Sequence, residues 1–185
     1  MDLSTFCNDD FDRGASRAKE LAWLVLSALL VAGPIPGSGW RATILRAFGA
    51  RIGAGVVFKP RVRIKFPWRL EIGANSWIGE GAWIDNLAEV RIGHDVCISQ
   101  DAYLGTGNHD WTSPSFDLVT ARITIKDQCW VGARATVAPG THMESGAVFG
   151  LGAVGRGNLQ GWTIYAAGKP TEVGPRRQKK AGAGA

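Results

Sequence analysis

From Ile72 to Val154 the chain obeys a six-residue rule, and few folds tolerate that period. The first units are Ile72-Gly-Ala-Asn-Ser-Trp77, Ile78-Gly-Glu-Gly-Ala-Trp83 and Ile84-Asp-Asn-Leu-Ala-Glu89. After a slip of two residues come Ile92-Gly-His-Asp-Val-Cys97, Ile98-Ser-Gln-Asp-Ala-Tyr103 and Leu104-Gly-Thr-Gly-Asn-His109. After a longer break the units starting at Ile125, Val131, Val137, Met143 and Phe149 complete a set of eleven, and Ile52-Gly-Ala-Gly-Val-Val57 is an earlier copy. Position one is always a large aliphatic residue or Phe. Position five is short: Ser76, Ala82, Ala88, Val96, Ala102, Asn108, Cys129, Ala135, Thr141, Ala147 and Ala153. Chance enrichment of Ile-Gly pairs does not keep two positions constrained through eleven units.

Neither the helical period of 3.6 nor the strand period of 2 produces this pattern. A period of six does, if each unit is a short strand and a turn, with position one in a core and position five at a corner too tight for bulk. Three units then close one triangular coil, and successive coils pair as parallel strands. Gly at position two or four supplies the corner conformations, and the 25 glycines of the 185-residue chain fit a molecule made of tight turns. The expected fold is an all-β parallel β-helix over residues 50–168, with an N-terminal helical segment (1–49) and a basic tail (169–185).

The break falls in Leu104–Ile125, LGTGNHDWTSPSFDLVTARITI, and predicts one extruded loop at about 108–122. Insertions in a solenoid become loops on one face, where function concentrates. The loop follows His109 directly, holds the turn formers Ser113-Pro114-Ser115, and carries Trp111 and Phe116. A histidine at a rigid corner beside a loop that reaches a neighbouring subunit suits acid-base chemistry. His94 and His142 read as ordinary corner residues.

The order Thr106-Gly107-Asn108-His109, then Ile123-Thr124-Ile125, then Trp130-Val131-Gly132 resembles the hexapeptide-repeat acyltransferases of the galactoside, maltose and Nod-factor acetyltransferase type. The stretches IDNLAEVRIGHDVCISQDAYLGTGNHDWTSPSFDL and FDRGASRAKELAWLVLSALL are similar to the colanic acid biosynthesis acetyltransferase group. The resemblance implies a left-handed helix, a homotrimer with active sites between subunits, acetyl-CoA as co-substrate and no metal. It also implies transfer to a hydroxyl of a sugar or glycan precursor, in exopolysaccharide biosynthesis, by direct transfer with His109 as general base. Asn108, Asp110, Trp111, Asn86 and Trp130 are the expected acceptor contacts. Gly132, Ala133, Gly150 and Leu151 are expected along the pantetheine arm, where small residues admit it. Arg156, Lys169, Arg176 and Arg177 are the expected phosphate partners. The family's usual Thr-Lys-Asp is replaced by Arg156-Gly157-Asn158, and its later Arg by Glu172. Two other readings of the same prism are a non-catalytic scaffold and a γ-class carbonic anhydrase. The latter needs three zinc-binding histidines, and His94, His109 and His142 lack the close pair it requires.

Three cysteines at unrelated spacings, Cys7, Cys97 and Cys129, indicate neither a disulfide framework nor a thiolate metal site, and fit a cytoplasmic setting. Cys97 and Cys129 read as packed thiols within the repeat. The net charge of +5 favours an anionic partner, phosphate-bearing or acidic, with no nucleic acid expected. The apolar run Leu21–Val31 (LAWLVLSALLV) is far shorter than the roughly 20 residues of a spanning helix. The acids Asp2, Asp9, Asp10, Asp12 and Glu20 before it argue against a signal peptide. It is either a buried or subunit-packing helix ended by Gly33, Pro34 and Pro36, or a helix that makes peripheral contact with the inner membrane face through residues 13–33.

Overall fold

The computed structural model describes residues 3–167 and the backbone of residues 172–175. Every expected position-one residue points inward: Ile72, Ile78, Ile84, Ile92, Ile98, Leu104, Ile125, Val131, Val137, Met143 and Phe149 are all buried. Their strands form three parallel sheets, the faces of a triangular prism of about six turns. Face 1 stacks the strands starting at Arg51, Leu70, Val90, Ile123, His142 and Asn158. Face 2 stacks those starting at Val57, Trp77, Cys97, Trp130, Val148 and Thr163, and Glu172–Pro175 adds to it antiparallel. Face 3 stacks those starting at Arg63, Trp83, Tyr103, Thr136 and Val154.

The strand register locates every irregularity of the period. From face 1 to face 2, and from face 2 to face 3, equivalent inward residues are always six apart, as in Ile72, Ile78 and Ile84. At the third corner, from face 3 back to face 1, the spacing changes coil by coil. It is eight for Ile64–Ile72 and Ile84–Ile92, then 21 for Leu104–Ile125, six for Val137–Met143 and four for Gly155–Leu159. The two-residue slip and the long break are therefore events at one corner, and the Ile64–Ile72 coil shares the slip. The exceptions at position five lie here too: Ala88 is half-buried and Asn108 exposed, whereas the other position-five residues named above are buried.

The two glycine positions do different work. Position four takes the left-handed backbone, by Gly81 (φ 70°) or by Asn75 (φ 60°) and Asp95 (φ 56°), whose short polar side chains tolerate it. Gly132, at position two, sits where coils touch: a Cβ there would lie 2.5 Å from the Leu151 nitrogen of the next coil.

The N-terminal segment caps the first coil. Helix α1 (Arg17–Leu26) starts at an N-cap, where Ser16 accepts from the Lys19 N–H, and continues as a π-helical turn, Ser27–Val31. Trp23 is buried and donates its indole N–H to the Ile64 carbonyl at 3.0 Å. Helix α2 (Gly39–Ala47) packs Ala42 and Leu45 into the same core. Between the helices Arg41, fully buried, donates to the carbonyls of Val31, Gly33, Ile35 and Gly37 at 2.6–3.0 Å, which replaces the water those groups would otherwise bind. The apolar run is thus only partly buried: Trp23 and Val31 go inward and most of its leucines stay outside.

Candidate active site

The insertion at the third corner is a two-stranded arm. Gly107–His109 pairs antiparallel with Leu118–Thr120, with His109 opposite Leu118 and Asn108 opposite Val119. Alternation along a strand sends the His109 and Asn108 side chains to opposite sides of this arm. The tip is tied by its own short polar groups. Asp110 Oδ1 accepts from the Thr112 N–H at 2.9 Å and hydroxyl at 2.6 Å, and the Asp117 oxygens accept from Ser113 and Ser115, both at 2.7 Å. The hydroxyl and backbone N–H of Thr112 hold the Asp110 carboxyl below its ordinary range, and Ser115 and Ser113 do the same for Asp117.

His109 is positioned by one residue in two ways. Its Nδ1 lies 2.8 Å from the Phe116 carbonyl oxygen, and the Phe116 ring stacks on the imidazole at 4.3 Å and 4°. A carbonyl only accepts, so Nδ1 carries the hydrogen and the basic lone pair is on Nε2. Phe116 achieves both contacts from a left-handed backbone, φ 55°, which costs a bulky L-residue about 1–2 kcal/mol. Phe6, over a hundred residues earlier, meets the imidazole edge-on at 5.6 Å.

On the His109 side of the arm is a cavity of about 250 Å³, lined by Phe6, Asn8, Phe11, Lys65, Phe66 and Leu87 among others. Its N-terminal wall is anchored by Trp68, whose indole donates to the Arg13 carbonyl at 2.8 Å, and by Arg69, which donates to the carbonyls of Asp12 and Leu87. On the Asn108 side is a second cleft of about 460 Å³, lined by Asn108, Trp111, Thr120, Pro139 and Arg156. An imidazole thus stands between one recess of mixed aromatic and polar walls and another that holds an arginine.

The residues expected at the site fall into three groups. His109, Asn108, Trp111 and Arg156 gather at the third corner, with Trp111 79% exposed. Asp110 is beside them, but its carboxylate serves the turn at Thr112 and does not orient the imidazole; the Phe116 carbonyl does. Trp130, Gly132, Ala133, Gly150 and Leu151 lie elsewhere. Trp130 is on face 2, opposite the third corner, donating to Ser99 Oγ at 2.8 Å, and the other four stack at the second corner in successive coils. Gly132 lies against the Gly150–Leu151 backbone of the next coil, so its lack of a side chain serves stacking; the Leu151 side chain, 71% exposed, presents itself outward.

Asn86 corrects the sequence expectation. It is fully buried, accepting from the Phe66 N–H at 2.9 Å and donating to the Phe66 carbonyl at 2.6 Å, so it holds the widened corner and is out of reach of a substrate. Lys169, Arg176 and Arg177 lie outside the described residues. The other histidines have separate partners: His94 Nδ1 accepts from the Ala74 N–H at 3.1 Å, and His142 Nε2 is 3.0 Å from Glu144. Of the other cysteines, Cys129 is buried and Cys97 half-buried within the coils, as packed thiols would be. Phe6, Phe66 and Leu87 carry no mark in the sequence, whereas Phe116 is legible as an aromatic of the inserted loop. A Phe at a turn among Ser, Pro and Asp was the one available signal, for Phe116 alone.

No family model matches the chain. WcaF of Escherichia coli K12, provisionally assigned as a colanic acid biosynthesis acetyltransferase, is 39% identical over 151 residues, 81% of this chain and 83% of that protein. A hexapeptide-repeat acetyltransferase of Vibrio cholerae, solved with acetyl coenzyme A, superposes with a TM-score of 0.79 over 95% of this chain and 97% of that one, at 18% identity. A galactoside acetyltransferase solved with coenzyme A gives 0.74 over 86% and 82%, also at 18%. The fold is the left-handed parallel β-helix of these acetyltransferases.

Proposed function

The chain belongs to the hexapeptide-repeat acetyltransferases, the family that includes WcaF, and from that premise we propose that it carries an acetyl group from acetyl-CoA to a sugar hydroxyl in exopolysaccharide biosynthesis, with His109 as general base. The observation that carries the reading is the Phe116 carbonyl on His109 Nδ1, because it leaves Nε2 as the proton acceptor. In a ternary complex Nε2 takes the acceptor hydroxyl proton while the oxygen bonds to the thioester carbon. The tetrahedral intermediate then expels the CoA thiolate, which recovers that proton from the imidazolium, leaving an ester and free CoA. Direct transfer agrees with the coil cysteines: Cys129 is buried with its Sγ 3.1 Å from the Glu144 carbonyl, and Cys97 is half-buried on face 2. The acceptor sugar is assigned to the Phe6–Leu87 cavity on the His109 side of the arm, and Asn108 and Trp111 line the opposite cleft. Arg156 in the opposite cleft is assigned to a CoA phosphate.

The working form is a homotrimer in the cytoplasm. What supports it is the division of the prism's surface. Face 1 is solvated by an ion-pair ladder, Arg51–Glu71 at 2.7 Å and Arg91–Glu89 at 3.0 Å. Faces 2 and 3 expose Trp77 (55%), Trp130 (48%), Trp83 (36%) and Val154 (54%), as two faces per subunit would in a closed ring of three. Such a ring also reunites the divided site, setting the third corner of one subunit against Trp130 and Leu151 of the next.

The test is acetyl transfer from acetyl-CoA across a panel of sugars, by wild type and His109→Ala. Removing a general base is expected to lower kcat by roughly 10²–10⁴-fold with little change in KM for acetyl-CoA. Full activity of the variant on the best acceptor overturns the assignment.

A further inference from the structure

We propose that the outer surface of α1 and its π-turn is a docking surface for an anionic lipid bilayer. Trp23 and Val31 point into the cap, at 3% and 0% exposure, while Leu21, Leu24, Leu29 and Ile35 are each 63–70% exposed. Leu21, Val25 and Leu29 follow one another at helical spacing, so the exposed side chains form a stripe. A contiguous apolar stripe of this kind marks an interaction surface. Among the described residues no helix is long and apolar enough to cross a membrane. A segment pinned on one side and apolar on the other instead lies in the plane of an interface.

Charge selects the occupant. Residues 13–70, which make the cap and the first coil, contain eleven Lys and Arg and a single acid, Glu20, for a formal +10. The remaining residues carry ten Lys and Arg against fifteen Asp and Glu, −5, which together give the chain's +5. Glu20 is already paired with Arg13. Arg17 and Arg46 are exposed within this region, while Arg61 pairs with Glu80 and Lys59 and Arg63 lie over Trp77 and Trp83 on faces 2 and 3. A second copy docked on the same surface would set this cationic end against itself, at a repulsive cost. An anionic bilayer accepts both features at once, leucines among the acyl chains and cations at the headgroups. The surface is at the first-coil end of the prism, away from Arg156 and Leu151 in the last coils, and the inference does not depend on the chemistry at His109.

The experiment is co-sedimentation of the full chain with vesicles of phosphatidylcholine alone or with about a third phosphatidylglycerol, for wild type and Leu21→Glu/Leu29→Glu. Wild type is expected to partition onto the anionic vesicles at least about tenfold more strongly than onto neutral ones, and to be released by high salt. The double variant is expected to lose at least about tenfold in partition while its solution mass, melting temperature and acetyl transfer to a soluble acceptor stay unchanged. If it folds poorly, Leu21→Ser/Leu29→Ser replaces it, with a smaller loss in the same direction. Absence of wild-type binding to anionic vesicles, or binding indifferent to both variants, refutes the proposal. A fall in oligomer mass in the variants also refutes it and assigns the stripe to a subunit contact.

Discussion

Asn86→Ala distinguishes a residue that holds the corner from one that binds substrate. In an unmodified corner the Phe66 N–H and carbonyl would pair with the backbone of the next coil. The two extra residues between Ile84 and Ile92 displace that backbone, and the Asn86 amide makes both bonds instead, at 2.9 and 2.6 Å. Truncation leaves the Phe66 N–H unpaired at a site with no solvent exposure, while the Phe66 carbonyl keeps the Arg69 N–H at 3.0 Å. For one orphaned buried donor the loss is roughly 1–3 kcal/mol. For a chain of this size that lowers Tm by roughly 3–10 °C. Asn86→Asp keeps the acceptor but sets a carboxylate oxygen against the Phe66 carbonyl, and burial raises its folded pKa above the unfolded value. Its stability is therefore retained below the unfolded carboxyl pKa of about 3.9 and lost as pH rises toward the folded value. Thermal melts across pH, with steady-state kinetics at a temperature where both variants are folded, test this. The expected result is a large drop in Tm with the acceptor KM unchanged. A Tm within about 2 °C of wild type, combined with a tenfold rise in acceptor KM, would show the burial argument to be wrong.

Phe116→Gly keeps the carbonyl that orients His109 and removes the stacked ring. Relief of the left-handed strain offsets a stacking loss of about 0.5–1.5 kcal/mol, so Tm is expected to move little while kcat falls about tenfold; an unchanged kcat would remove the ring from the mechanism. Asp110 and Asp117 titrate below the ordinary carboxylate range, so what they add to loop order is present above pH about 4 and is lost as pH falls through their lower folded values. The Thr112 amide, which donates to Asp110, is expected to shift in NMR spectra as pH drops below about 4, and in Asp110→Asn that transition should disappear. A Thr112 resonance that is flat from pH 6 to 3 would show that the carboxylate does not order the tip.

The coil and its corners are legible in the sequence because they rest on short-range steric demands. An inward position one and a cramped position five are each satisfied or violated within six residues, and Ala88 and Asn108 mark the departures. His109 is legible for the same reason, as the last residue before the period fails. What orients it is not, since a main-chain carbonyl leaves no residue-type signature and a left-handed Phe is contrary to propensity. Phe6 meets His109 across more than a hundred residues, a contact no local pattern encodes. Asn86 and Arg41 were opaque for another reason: polar side chains are normally solvated, and burial here follows from backbone groups that irregular chain leaves without partners.

The corner lengths tie the fold to the chemistry. Below the arm, two coils carry eight residues at the third corner, and the surplus sets Phe66 and Leu87 where they line the recess on the His109 side. Above it the corner shortens to six and then four, bringing Pro139 and Arg156 to the cleft on the Asn108 side. The arm leaves the prism at the step between a widened and a narrowed corner. A ligand approaching along the narrow end and another entering from the wide end meet at His109. Shifting the insertion to either of the other corners, where the spacing is uniformly six, would keep the imidazole and the loop but lose the step that gives them two separate approaches.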